Sequence, residues 1–254
     1  MTTLDLSPAP GAAPAARRIW RHGLTEARLL ARNGEQLLLA LVIPVGALIL
    51  GRLFGDRFGL GTELLVPSVL AMAVWSSAFT SLAISTGFER RYGVLERLAA
   101  TPLTRTGLLL GKAIGLLVTL LGQLLVLTLV ALVLGWRLVL GPAPVLVGVL
   151  AVLLGTIVFA ALGLLLAGTL RAELTLGLAN LIHLVLLGAG GILVPLASYP
   201  EPVRAVVALL PTAALAEALR GAGTGQTHWW TLPALLVWAV ATIVLTRKVF
   251  RWMS

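Results

Sequence analysis

Residues 89–112 read ERRYGVLERLAATPLTRTGLLLGK and lie between two long apolar stretches of the chain. This short segment holds seven charged residues, which are Glu89, Arg90, Arg91, Glu96, Arg97, Arg105 and Lys112. The stretches on either side are long and apolar enough to cross a bilayer as helices, which takes about 20 residues each. The segment is therefore predicted to connect two membrane spans at the water-exposed surface.

The middle of this segment has the periodicity of a short amphipathic helix from Gly93 to Ala100. Its apolar face carries Leu95, Leu98 and Ala99, and its polar face carries Glu96 and Arg97. Pro102 should end this helix, because the residue before a proline is disfavoured in the helical conformation. Thr104 or Thr106 can cap the helix that follows. Such a surface is either a solvated loop or a docking site for a cytosolic partner.

The composition excludes a soluble domain. Hydrophobic residues make up 59% of the 254 residues, charged residues only 11%, and the mean hydropathy is +1.01. A soluble domain carries roughly 25% charged residues. The net charge is +9, but the basic residues sit at the ends of apolar stretches, where they orient a membrane protein rather than bind nucleic acid. The chain has no cysteine, which excludes disulfides, thiolate metal sites and cysteine nucleophiles.

Six apolar spans are predicted, so the expected fold class is an all-α integral membrane protein. The spans cover residues 37–53, 64–88, 108–134, 144–167, 174–194 and 229–246. Residues 1–16 are rich in Pro and Ala and should form a disordered cytosolic tail, which leaves residues 17–254 as a single transmembrane domain. The amphipathic stretch from Arg17 to Gln36 is expected to lie in the interface, with its arginines toward lipid phosphates.

The distribution of Lys and Arg predicts the orientation of the chain. Six spans put both termini and residues 89–107 on the same side of the membrane. That side holds 14 of the 19 Lys and Arg residues, and the opposite side holds five. By the positive-inside rule, both termini and the charged segment are expected to be cytoplasmic.

The segment between the last two spans, residues 196–228, is expected to be helical and to lie on the outer side. Pro200, Pro202 and Pro211 divide it into two short helices, at residues 203–210 and 213–219. Helical structure is required if the segment dips into lipid, because unsatisfied backbone groups there cost several kcal/mol each.

Polar residues inside the spans are candidates to line a substrate path. Ser77, Ser81 and Ser85 recur every four residues and share one helix face. Asn180 and His183 lie three residues apart in the fifth span, toward the same part of the bundle. We expect both to face either the adjacent helices or the gap between two such proteins, rather than lipid. Both sets have a second interpretation, as hydrogen bonds that hold helices together. The residues alone leave the two interpretations open.

Several kinds of functional site are missing from the sequence. No predicted span contains a charged residue well inside the bilayer, which argues against an ion-coupled secondary carrier. A Gly-x4-Gly-Lys-[Ser/Thr] phosphate loop is absent, and the nearest run, residues 107–113, has the wrong spacing. Gly-x-Ser-x-Gly and His-Glu-x-x-His are absent too, which argues against an intramembrane enzyme. The carrier and the enzyme are the alternatives to a transporter driven by ATP bound on another chain.

The order of residues in the charged segment resembles the cytoplasmic signature of ABC-2 type transporter permeases. The features that carry the resemblance are the charged residues, Tyr-Gly, Val-Leu-Glu-Arg-Leu, Thr-Pro-Leu and Leu-Leu-Leu-Gly-Lys. The run from Leu209 to Arg220 also resembles the Asn-Pro segment before the last span of these proteins, although Leu210 stands where asparagine is common. The resemblance extends from about Arg17 to the last span.

The resemblance implies that this chain is a non-catalytic permease subunit of an ABC exporter in a bacterial plasma membrane. Residues 89–107 would be the coupling segment that docks on a separate cytosolic ABC ATPase. The transporter would contain two copies of this ATPase, which bind ATP and Mg²⁺. The implied coupling residues are Glu89, Arg90, Arg91, Gly93, Leu95, Glu96, Arg97, Leu98, Pro102 and Arg105. The candidates for the substrate pathway are Ser77, Ser81, Asn180 and His183.

Three further implications concern binding partners. The substrate would be amphipathic or lipid-like, such as a drug or an antibiotic, and it would leave between two permeases. The second permease is either another copy of this chain or a related one. The chain itself would bind membrane lipids, but no metal, cofactor or nucleic acid.

Overall fold

The computed structural model describes residue 11 and residues 13–32, 34–55 and 61–249 of the chain. Within these residues the fold is all-helical. The α-helices are α1 (Ala15–Arg32), α2 (Gly34–Phe54), α3 (Thr62–Trp75), α4 (Leu82–Arg91), α5 (Val94–Ala99), α6 (Arg105–Val133), α7 (Pro142–Thr169), α8 (Ala172–Ala189), α9 (Glu201–Ala208), α10 (Pro211–Thr224) and α11 (Thr231–Val249). A π-helical turn, Ser76–Ser81, joins α3 to α4, and a 3₁₀ turn, Leu196–Ser198, precedes α9. The predicted N-terminal tail, residues 1–16, lies largely outside the described residues.

Among the described residues, five helical stretches are long and apolar enough to cross a membrane. They are Thr62–Arg91, Thr106–Val133, Pro142–Thr169, Ala172–Ala189 and Thr231–Val249. The first predicted span falls on α2, whose apolar part, Ala40–Phe54, is shorter. The all-α membrane fold expected from the sequence is therefore confirmed, and each predicted span corresponds to a helix.

The second span is not one regular α-helix. The π-helical turn at Ser76–Ser81 interrupts it, and such turns are frequent at functional sites. Trp75 stacks on Phe79 with ring centroids 4.3 Å apart and meets Phe159 of α7 edge-on at 4.8 Å. All three aromatic side chains are buried. The aromatic packing therefore holds the irregular turn against α7.

Helix α1 packs on the first turns of α6. Gly107, Gly111 and Gly115 recur every four residues on α6 and let α1 approach closely. A Cβ atom at Gly111 would clash with the His22 ring, and one at Gly115 would clash with Glu26. The predicted amphipathic helix is present as α1, and its face around Gly23 and Ala27 is covered by α6.

The region before the last span forms two helices, as expected, and the axes of α9 and α10 meet at 94°. Pro211 is the first residue of α10, where its missing N–H costs no helical hydrogen bond. The structure differs from the prediction in the second helix. α10 continues to Thr224, and residues 211–221 are all buried among α3, α7 and α11. Alanines at four of the first eight positions make this close packing possible.

Candidate coupling segment and substrate groove

The coupling segment, residues 89–107, has a defined geometry between α4 and α6. Gly93 adopts a φ of +66°, a left-handed conformation that favours glycine, and this lets the chain turn from α4 into α5. At the other end, Thr104 caps α6 by accepting a hydrogen bond from the Gly107 N–H at 3.1 Å. The short helix and the threonine cap thus follow the sequence prediction.

The apolar face of α5 is covered by the chain itself. Leu95 is only 1% exposed and packs with Leu103 and Leu108, while Ile19 of α1 and Leu98 pack at the edge of this cluster. The coupling residues implied by the resemblance include Leu95 and Leu98, which lie on this face. That prediction is wrong for Leu95, because α1 and α6 supply the cover within the same chain.

Two of the predicted docking arginines also bind their own chain. Arg90 donates to the Leu170 carbonyl oxygen at 2.6 Å, and Arg91 forms an ion pair with Glu173. Both bonds tie the end of α4 to the turn between α7 and α8. Glu96, Arg97 and Pro102 remain exposed, and Arg97 donates to the Tyr92 carbonyl at 3.1 Å. The residues that remain available for docking are therefore fewer than the coupling residues that the sequence predicts.

Glu89 belongs to a partly buried charged cluster made of His22, Glu26, Glu89 and Lys112. The Lys112 ammonium lies 2.5 Å from Glu89 and 3.6 Å from Glu26, and the His22 Nε2 atom lies 3.6 Å from Glu26. The expectation that Glu89 pairs with the ATPase is therefore corrected, because Lys112 already pairs with it. Sequence reasoning missed this cluster because its members come from α1, α4 and α6.

Burial favours the neutral form of the His22 imidazole in this cluster. It lowers the pKa of the ring; the Glu26 carboxylate opposes this shift and Lys112 adds to it. The ordinary pKa of histidine is about 6.5, so a lowered value leaves the ring neutral at pH 7. The cluster then holds two carboxyl groups and one ammonium group.

A groove with a volume of about 680 Å³ begins at this cluster and runs between α4 and α6. Ser77, Ser81 and Ser85 all line it, as their shared face predicted. At its far end the Ser77 hydroxyl donates to the Gln123 Oε1 atom at 2.7 Å, and the Gln123 Nε2 atom donates to the Ala40 carbonyl at 2.7 Å. These bonds join the π-helical turn, α6 and α2.

Asn180 and His183 do not lie together. The His183 Nδ1 atom is 3.1 Å from the Thr80 hydroxyl, and its ring is parallel to that of Trp75 with centroids 6.0 Å apart. Asn180 instead lies on the exposed face of α8. The prediction that the pair faces one part of the bundle is wrong, because α8 is covered along one narrow face only. The helix-packing interpretation fits His183.

A second buried charge pair lies in α10. Arg220 Nη1 donates to Glu217 Oε1 at 2.7 Å and to the Gly191 carbonyl at 3.0 Å, and Nε donates to the Ser68 hydroxyl at 3.0 Å. The Leu196 N–H donates to the same carboxylate oxygen at 2.9 Å. The pair thus ties α10 to α3 and to the chain that follows α8. In the sequence, this pair is indicated by a Glu-x-x-Arg spacing inside an alanine-rich run.

These features define a multi-pass helical membrane protein with a groove beside a structured loop between spans. The family model for the ABC-2 type transporter matches residues 22–222, more than three quarters of the chain. The chain belongs to this family and is a permease subunit of an ABC transporter. Members of the family in general work with an ABC ATPase subunit. No curated protein matches the sequence.

Proposed function

We propose that this permease exports an amphipathic or lipid-like substrate, with energy from ATP hydrolysed on a separate cytosolic ATPase. The observation that carries the proposal is the contact between Glu89 and Lys112, at 2.5 Å. Glu89 is the first residue of the coupling segment, and both residues line the groove. A displacement of the segment would therefore change the groove directly.

The coupling segment is braced so that it can transmit such a displacement. Leu95 anchors α5 to α1 and α6, and Arg90 and Arg91 anchor the end of α4 to the turn before α8. Because these contacts join the segment to α1, α6 and α8, a displacement of the segment would be passed to these helices. Glu96, Arg97 and Pro102 are exposed on its outer side and are the residues we assign to docking.

In this proposal two copies of the ATPase bind ATP and Mg²⁺ and dock on two permeases. The second permease is another copy of this chain or a related one. The bacterial plasma membrane is the proposed location, with both termini cytoplasmic, as the excess of Lys and Arg on that side indicates. Asn180, on the exposed face of α8, is assigned to the gap between the permeases.

The test is to express the chain with candidate ATPases and measure ATP turnover of the purified complex in lipid nanodiscs. We expect an ATPase to co-purify and its turnover to rise in the presence of the permease. Substrates are then identified by further stimulation and by transport out of ATP-loaded vesicles. A permease that moves substrate down an ion gradient with no ATPase present would overturn the proposal.

A further inference from the structure

The groove has a length and a polarity that can be read from α6. It extends along α6 from Lys112 to Val126, which is about 21 Å at the helical rise of 1.5 Å per residue. Its volume of about 680 Å³ lies within the roughly 300–1,000 Å³ of pockets that hold drug-sized ligands. More than half of the residues that line it are Ala, Val or Leu. The groove is therefore mainly apolar, with charged groups at one end, an amide toward the other end and hydroxyl groups along its length.

The charged end presents carboxylates rather than the ammonium group. The Lys112 side chain is only 4% exposed, whereas the Glu26 and Glu89 side chains are 20% and 21% exposed. Lys112 thus lies behind the two carboxyl groups and compensates one of them. Since His22 is neutral, the formal charge of this end of the groove is negative.

We propose that the groove binds a cationic amphiphile. Its ammonium head would lie between Glu26 and Glu89, and its apolar body would extend along α6 toward Gln123. The negative charge at this end favours a cation, because the cation would form an ion pair with the carboxylate that Lys112 does not neutralise. An anionic or phosphate-bearing head would instead be repelled by that carboxylate. The site lies within one protomer, so binding requires neither the ATPase nor a second permease.

The binding itself stands without the proposed function, but its role as the loading site for export rests on that proposal. The hydroxyls of Ser77, Ser81 and Ser85 follow the length of the groove. They would accommodate polar atoms along the apolar body of the substrate. The groove thereby predicts that the substrate is positively charged, a property that membership of the family does not define.

The test uses the full-length permease in a non-ionic detergent, without any ATPase. Native mass spectrometry counts the molecules bound per chain during titration with an alkyl trimethylammonium, and with the alcohol and the carboxylate of the same chain length. We expect the ammonium compound to bind once per chain and about tenfold more tightly than either analogue. Equal binding of the three compounds would overturn the proposal.

Variants then locate the site. Glu26→Gln leaves the Glu89–Lys112 pair in place and should abolish the preference for the ammonium compound. Gly122→Leu should weaken binding of all three, because Gly122 lines the groove and a Cβ atom there meets open space. The matched controls are Glu201→Gln, an exposed carboxylate on α9, and Gly46→Leu, which also has open space beside it and does not line the groove. Loss of binding in the controls but not in the groove variants would overturn the assignment.

A lipid could compete for the same site, so phosphatidylethanolamine is added as a competitor. It should fail to displace the ammonium compound, because its phosphate would lie against a carboxylate. Displacement at equal concentration would show a lipid site and overturn the proposal. Failure of binding would leave the proposed ATPase coupling untouched, whereas failure of coupling would leave this binding intact.

Discussion

The Lys112 ammonium group lies 2.5 Å from a carboxylate oxygen of Glu89 and ties the last turn of α4 to α6, beside the coupling segment. The ammonium is buried, and Glu26 of α1 lies 3.6 Å from it. One lysine thus holds three helices that are distant in the sequence. The pair connects the surface we assign to the ATPase with the groove we assign to the substrate.

Lys112→Met should destabilise the protein strongly. The substitution leaves two carboxyl groups partly buried without their cation, and breaking a buried pair in this way costs about 3–5 kcal/mol. Thermal unfolding in detergent measures the effect. Lys248→Met is the matched control, because Lys248 lies in the exposed last turn of α11. Equal unfolding midpoints for the two variants would contradict the role given to Lys112.

Two Glu-x-x-Arg pairs with the same spacing allow a matched comparison. Glu217–Arg220 is buried, with Arg220 also bonded to Gly191 and Ser68, whereas Glu201 is 83% exposed in its pair with Arg204. Arg220→Met should cost about 3–5 kcal/mol because it leaves a buried carboxylate unpaired. Arg204→Met should cost about 1 kcal/mol or less. Thermal unfolding midpoints measure the difference, and Arg220→Met should have the lower one. A lower midpoint for Arg204→Met would refute the structural role of the α10 pair.

Leu95→Asp and Leu98→Asp should fail at different steps. Leu95 is buried within its own chain, so an aspartate there should reduce folding and membrane insertion before any partner binds. Leu98 is only partly buried, and its substitution should mainly weaken assembly with the ATPase. Yield of folded permease and co-purification of the ATPase separate the two effects. If Leu98→Asp assembled and turned over normally, docking through this face of α5 would be excluded.

Glu96→Arg should lower ATP turnover and transport without lowering stability. The side chain is exposed on the coupling segment, where a reversed charge would oppose a complementary surface on the ATPase. Turnover is compared at matched amounts of assembled complex. Glu201→Arg, a reversal on the exposed surface of α9, is the control and should behave as wild type. Normal turnover in Glu96→Arg would remove this residue from the docking surface.

Single cysteines can test the orientation, since the chain has none of its own. Arg97→Cys and Gln226→Cys both place the thiol at an exposed position. The bias of Lys and Arg predicts that an impermeant maleimide added to whole cells labels position 226 and spares position 97. Labelling of both positions from outside would contradict the proposed topology.

The local pattern of the sequence predicted the membrane helices and the two helices around Pro211. Long apolar stretches and proline positions act over a few turns, so their consequences are visible without tertiary contacts. The same is true of the short helix at residues 94–99 and of the Thr104 cap. The shared face of Ser77, Ser81 and Ser85 also became one wall of a groove.

Only the tertiary structure decided which of these surfaces are free. Leu95 and Glu89 were predicted to face a partner, but α1 and α6 cover the first and Lys112 pairs with the second. The close approach of α1 depends on the glycines of α6 that contact it. In the same way, Arg220 is buried from solvent because α10 is surrounded by other helices. Burial and pairing are properties of residues that meet across the fold, and local periodicity holds no information about which helices meet.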